Sequence, residues 1–154
     1  MTKVKPDHIV GRIVVHELDQ AVTALTVAHA LDCPIALLSA TGAARSSGPA
    51  WWRELVTQAQ TLAPGPGAHW ILDCADEPGM ALAALREGIT SISLEAEGPV
   101  WSRVSEIAAQ CGASLQRPDR ANALDLAGSN NPQNDCKLYL STLPEGVAKP
   151  DALG

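Results

Sequence analysis

Residues 69–95, HWILDCADEPGMALAALREGITSISLE, constrain the fold of this chain more than any other stretch. Trp70, Ile71 and Leu72 form an apolar run too short for a helix. Gly-Pro-Gly precedes it closely and Asp73 follows it, so it predicts a strand buried on both faces. Asp73, Asp76 and Glu77 stand just ahead of Pro78, whose missing N–H costs nothing in a first helical turn. Acidic groups there also complement the positive helix end. Met80, Leu82, Ala83, Ala84 and Leu85 make the helix largely apolar, and Gly88 stops it in the left-handed conformation open to glycine. Residues 89–94 (ITSISL) read as a second strand. This is a βαβ unit, so its strands run parallel and its crossover is right-handed.

The same alternation extends in both directions. Residues 1–8 read as a loose leader, 9–15 (IVGRIVV) as a first strand, and a helix capped by Glu17 or Asp19 runs to Leu31. Asp32-Cys33-Pro34 ends it, because the residue before a proline avoids the α region. Residues 35–39 (IALLS) form the second strand, 40–48 (ATGAARSSG) a small-residue loop, and Pro49 opens a helix to about Leu62 with Trp52, Leu55, Val56 and Ala59 as its core stripe. After the third strand, third helix and fourth strand come a helix from Gly98 to Cys111, a short strand over 113–116, and one or two helical turns over 117–126. From residue 127 the chain turns loop-rich, with an edge strand expected over 136–141 and poor order beyond Leu143. The sequence thus predicts a single α/β domain over 9–126 and an extension over 127–154. The architecture is three-layered, with a mostly parallel sheet of four or five strands. One echo stands out. G-P-x-W-x-R recurs at 48–53 and at 98–103, either as a repeated helix-opening device or as the trace of a duplicated pair of βα units.

Composition narrows the function classes. The net charge is −6 with no Lys/Arg cluster, which argues against nucleic acid, whose phosphates require a basic face. No run approaches the roughly 18 apolar residues of a membrane span, and the N-terminus lacks the apolar core of a signal peptide. A cytoplasmic protein is expected. Cys33, Cys74, Cys111 and Cys136 are far apart with no CxxC, so they read as reduced, mostly buried thiols and signal no metal. Lysines occur only at 3, 5, 137 and 149, so no core strand carries a Schiff-base lysine, and no motif signals a cofactor.

Ligands of parallel α/β sheets bind beyond the carboxyl ends of the strands. That rule selects His16 and Glu17, the 39–47 segment with Ser39, Thr41, Gly42 and Arg45, the 73–77 segment, Glu95, and Gln116 with Arg117. Asp73 and Asp76 are the candidate catalytic pair, as general acid and base or as a magnesium site; the competing reading has Asp76 capping a helix and Asp73 tying down the turn. Thr41, Gly42, Arg45, Ser46 and Ser47 can cradle an anion or form a plain polar loop. His16 at a strand end is a base, a ligand or a structural histidine. Trp51 and Trp101, each in a first helical turn, border the crevice or only pack. Cys74 is a small buried residue rather than a nucleophile, since its acidic neighbours oppose a thiolate.

The joints ALREGITSISL and AAQCGASLQ, with LDCADEPGMALAAL, make residues 68–117 resemble phosphate-binding β/α barrels of the sugar-acid aldolase kind. The resemblance implies a half-barrel-like arrangement and a phosphate-bearing ligand. The family's catalytic strand lysine has no counterpart in this chain. Two functions follow as expectations. The first is a non-catalytic, homo-oligomeric α/β module, a dimer that covers its open sheet edge, binding a protein partner or a small anionic metabolite. The alternative is an enzyme of lyase or phosphate-metabolite type using Asp73 and Asp76.

Overall fold

The computed structural model describes residues 11–143. The leader and the segment beyond Leu143 lie outside the described residues. Within them the chain forms six strands, paired in parallel, and six helices: the α/β class expected, with one or two strands more. The residues fall into two compact units, one made of 11–38, 56–70 and 121–143, the other of 39–55 and 71–120.

In the first unit β1 (Gly11–Val14) is flanked by β2 (Ile35–Leu38) and β6 (Leu124–Asp125), both parallel to it. The register pairs Val14 with Leu38 on one side and with Asp125 on the other. β2 is buried throughout, as an apolar strand covered on both faces must be. α1 (Leu18–Leu31) lays Ala21, Ala24, Leu25 and Ala28 into the core and ends at Asp32, which is left-handed at φ 53. The alanines permit the close approach that the aromatic-poor composition implies.

Two expectations for this unit are corrected. Residues 117–126, read as helical turns, contain β6, because Ala-Leu-Asp-Leu is a strand signal that pairs with β1 and buries Leu126 completely. Residues 136–141, read as an edge strand, belong to helix α6 (Pro132–Ser141). The apolar-polar alternation of CKLYLS loses to a strong helix start: Asn131 Oδ1 accepts from the Asn134 N–H, and Pro132 occupies the first turn. α6 packs on α1 and buries Cys136 and Leu140. It is also anchored to the β1 region, since the Tyr139 hydroxyl accepts from the Arg12 N–H (3.1 Å) and donates to the Asn122 carbonyl (2.7 Å).

The second unit is ordered β3 (His69–Asp73), β4 (Ser91–Ser93) and β5 (Ser114–Gln116), all parallel. α4 (Pro78–Arg86) follows β3 and α5 (Gly98–Gln110) follows β4. The βαβ unit therefore stands where the sequence put it, with Gly88 left-handed at φ 81 just past α4. α3 (Pro49–Leu62) presents Trp52, Leu55 and Ala59 to the interior, and the 40–48 loop contains one helical turn, α2 (Ala43–Ser46). The two copies of G-P-x-W-x-R share one backbone device. Gly48 (φ 95) and Gly98 (φ 59) are both left-handed and both precede the proline that begins a helix. Glu17 occupies the N-cap position of α1 as expected, but its side chain makes no cap hydrogen bond; the N-cap of α4 is Glu77 rather than Asp76, and its side chain makes none either.

Candidate functional site

In the second unit Asp73 is the hub. β3 delivers it at its carboxyl end, where it is 2% exposed. Its Oδ2 accepts from two backbone N–H groups, those of Gly42 (2.7 Å) and Ala75 (3.0 Å). Its Oδ1 accepts from the Ser93 hydroxyl at 2.6 Å. A buried carboxylate needs such donors to offset its desolvation, and here they come from three different segments. The bond to Ala75 closes an Asx-type turn and holds that residue left-handed at φ 51; the Ala75 carbonyl in turn accepts from the Glu95 N–H at 2.8 Å. Ser39, fully buried, adds a further tie, its Oγ accepting from the Asp73 N–H at 2.9 Å. Of the expected site residues, Ser39, Gly42 and Asp73 thus come together, but as a network whose donors and acceptors are committed to one another. Asp76 is exposed on the surface of the turn.

Cys74, also buried, lies under the same turn. Its thiol is pushed up to about 12 by burial and by the charges of Asp73 and Glu77, so it stays protonated at neutral pH. Cys33 and Cys136 are buried and Cys111 is exposed.

The arginines around these strand ends differ in how fully they are engaged. Arg45 Nε meets Glu77 Oε1 at 2.6 Å, and Arg120 donates to the Ser39 carbonyl at 2.8 Å. The guanidinium carbon of Arg117, just past β5, lies over the Trp101 ring, 4.0 Å from its centroid. Its ionic partner is the exposed Glu97, at 3.5 Å. A guanidinium over an aromatic ring is restrained by the ring while its N–H groups remain able to pair with a carboxylate or phosphate. Trp101 and Arg117 were named separately from sequence; the fold makes them one feature. Trp51 is half-buried beside Trp52, their rings 5.9 Å apart. Thr41 and Glu95 are exposed.

In the first unit His16 stands two residues past β1, and its Nε2 lies 2.6 Å from Asp125 Oδ1 at the end of β6. Gln20, buried in the first turn of α1, accepts the His16 N–H (2.7 Å) and donates to the Leu126 carbonyl (2.9 Å). Glu17 is exposed. Sequence reasoning missed Asp125, Gln20 and Ser93. The signal for Asp125 was present: Ala-Leu-Asp-Leu repeats the apolar-run-then-aspartate pattern of Trp-Ile-Leu-Asp at the end of β3. Among the described residues no three His, Cys, Asp or Glu side chains group as a metal site.

No family model matches the sequence, and no curated protein matches it. Among solved structures the chain is similar to one described as a "putative fructose-1,6-biphosphate aldolase" from Coccidioides immitis. The TM-score is 0.59 at 12% identity, and the likeness covers 88% of this chain and 53% of the other. This chain therefore spans about half the length of the protein it matches. Identity this low speaks to fold alone. It bears out the resemblance to aldolase-type barrels read from residues 68–117 and shows a barrel-like α/β fold over most of the chain.

Proposed function

We propose that the second unit binds a small metabolite carrying a phosphate or carboxylate at the carboxyl ends of its strands, and that it does so without acting on it. The observation that carries this reading is Arg117 stacked on Trp101, a pre-positioned guanidinium whose exposed partner Glu97 is easily exchanged for a ligand. The non-catalytic half of the reading is supported by Asp73, whose oxygens already take three donors, and by Cys74, held as a thiol. The alternative, an enzyme using Asp73 and Asp76 as acid and base, has less support, because a general base needs an acceptor lone pair turned toward substrate.

The protein acts in this reading as a cytoplasmic homodimer without a nucleic-acid partner. The widely spaced cysteines and the charge of −6 support the cytoplasmic placement and the lack of a nucleic-acid partner. No described helix is long and apolar enough to cross a membrane.

The test is a thermal-shift screen against sugar phosphates, sugar acids and nucleotides. A ligand at about 100 times its dissociation constant stabilises by about 2.7 kcal/mol. A hit should be lost in Arg117→Gln and weakened in Trp101→Ala. A hit that survives Arg117→Gln moves the site elsewhere, and silence across the panel favours a protein partner instead.

A further inference from the structure

The histidine–aspartate pair of the first unit is built differently from a structural tie. The ends of β1 and β6 are already joined without it: the Leu126 N–H donates to the Val14 carbonyl at 3.1 Å, and buried Gln20 bridges His16 to Leu126 through both ends of its amide. The pair itself is open to solvent, with side chains 31% and 57% exposed, and an exposed pair of this kind adds little stability. What the arrangement does fix is the imidazole. Asp125 Oδ1 holds Nε2 and is itself held by the Ala127 N–H at 2.9 Å, while Gln20 pins the His16 backbone. In the neutral ring Nε2 donates to the carboxylate, which makes Nδ1 the acceptor nitrogen. That is the arrangement of an oriented base: an acceptor nitrogen, a carboxylate behind it, and a rigid support beneath.

We infer that His16 and Asp125 form an acid–base dyad that hydrolyses an uncharged acyl ester at the carboxyl ends of β1 and β6. In this step Nδ1 takes a proton from water as the water oxygen adds to the acyl carbon. The C–O bond to the leaving alcohol then breaks, and the Nδ1 proton passes to the alcohol oxygen, so ester and water give acid and alcohol with no other reactant. An uncharged substrate is favoured because the ionisable groups on the segments that build the site, Asp125 from β6 and Glu17 and Asp19 from the start of α1, are all acidic. His16 is the catalytic residue and Asp125 its positioning residue. The site is separate from the anion-binding reading of the second unit and stands or falls independently of it.

The probe is p-nitrophenyl acetate, followed by p-nitrophenolate release across pH 5 to 8.5, with the full chain. The wild-type chain should release p-nitrophenolate faster than buffer alone. His16→Gln should remove the protein-dependent rate, whereas His69→Gln, a control for a histidine outside the dyad, should leave it unchanged. Asp125→Asn should lower the rate about tenfold or more, because an amide can hold the wrong tautomer, and Asp125→Glu should restore part of it. Circular dichroism and melting temperature should stay at wild-type values in every variant. An unchanged rate in His16→Gln overturns the proposal, as does an unchanged or faster rate in Asp125→Asn, which marks a bare surface imidazole. A rate loss that merely tracks loss of fold also overturns it in favour of a structural tie.

Discussion

Asp73 shows how much a single side chain can hold in this protein. One oxygen takes the N–H groups of Gly42 and Ala75, and the other takes the Ser93 hydroxyl. Substituting asparagine keeps this geometry nearly intact: the amide oxygen serves both backbone donors, and the amide nitrogen faces a serine oxygen that can turn to accept. Only the charge assistance is lost, at about 1 kcal/mol. Alanine instead strands two buried N–H groups, at about 3 kcal/mol or more. Urea unfolding of wild type, Asp73→Asn and Asp73→Ala should therefore give a small and then a large drop in midpoint. An alanine variant as stable as wild type would remove the structural role assigned here. A sequence reader sees an aspartate after a strand and weighs base against turn staple; the choice depends on donors 20 and 31 positions away.

At the scale of elements, α6 depends on a glycine in β1. A Cβ placed on Gly11 would lie 2.9 Å from Leu140 Cδ2 and 3.0 Å from Tyr139 Cε2. Leu140 is buried and the Tyr139 hydroxyl is held at two points, so neither side chain can easily give way. Gly11→Val should cost about 1–3 kcal/mol by overpacking and loosen α6 from β1. Limited proteolysis should then cut residues 121–143 faster than in wild type. Equal cutting rates would show that α6 does not rely on this contact. From sequence nothing signalled that a ring would lie over this glycine, because the segment that carries it read as a strand.

For the molecule as a whole, two strand edges matter. Among the described residues β5 pairs only with β4, and β6 only with β1. Open edges and exposed apolar side chains such as Val100 (45% exposed) and Leu138 (62%) favour a second copy of the chain as cover. Sedimentation velocity at micromolar concentration should give a species of about twice 16.1 kDa. A monomer with concentration-independent sedimentation would end the homodimer reading. The barrel-like likeness over 88% of the chain concerns backbone arrangement and leaves this prediction to the edges themselves.

Sequence alone determined the elements whose signals are local. The helix started by Pro78 and stopped by Gly88, the break at Asp32-Cys33-Pro34, the helix opened by Gly48-Pro49, and the parallel alternation of strand and helix all rest on φ restrictions and missing N–H groups within a few residues. Tertiary structure decided what depends on distant partners. Leu124–Asp125 is a strand because β1 offers it a ladder, and residues 136–141 are helical because a cap and a packing face on α1 outweigh a two-residue alternation. The site residues follow the same division. Position at a strand's carboxyl end could be read from the pattern, which is how His16, Asp73 and Arg117 were selected as candidates. Partnership could not: Asp125 lies 109 residues from His16, and only the parallel register of β1 and β6 brings a histidine and an aspartate that far apart in the chain to 2.6 Å.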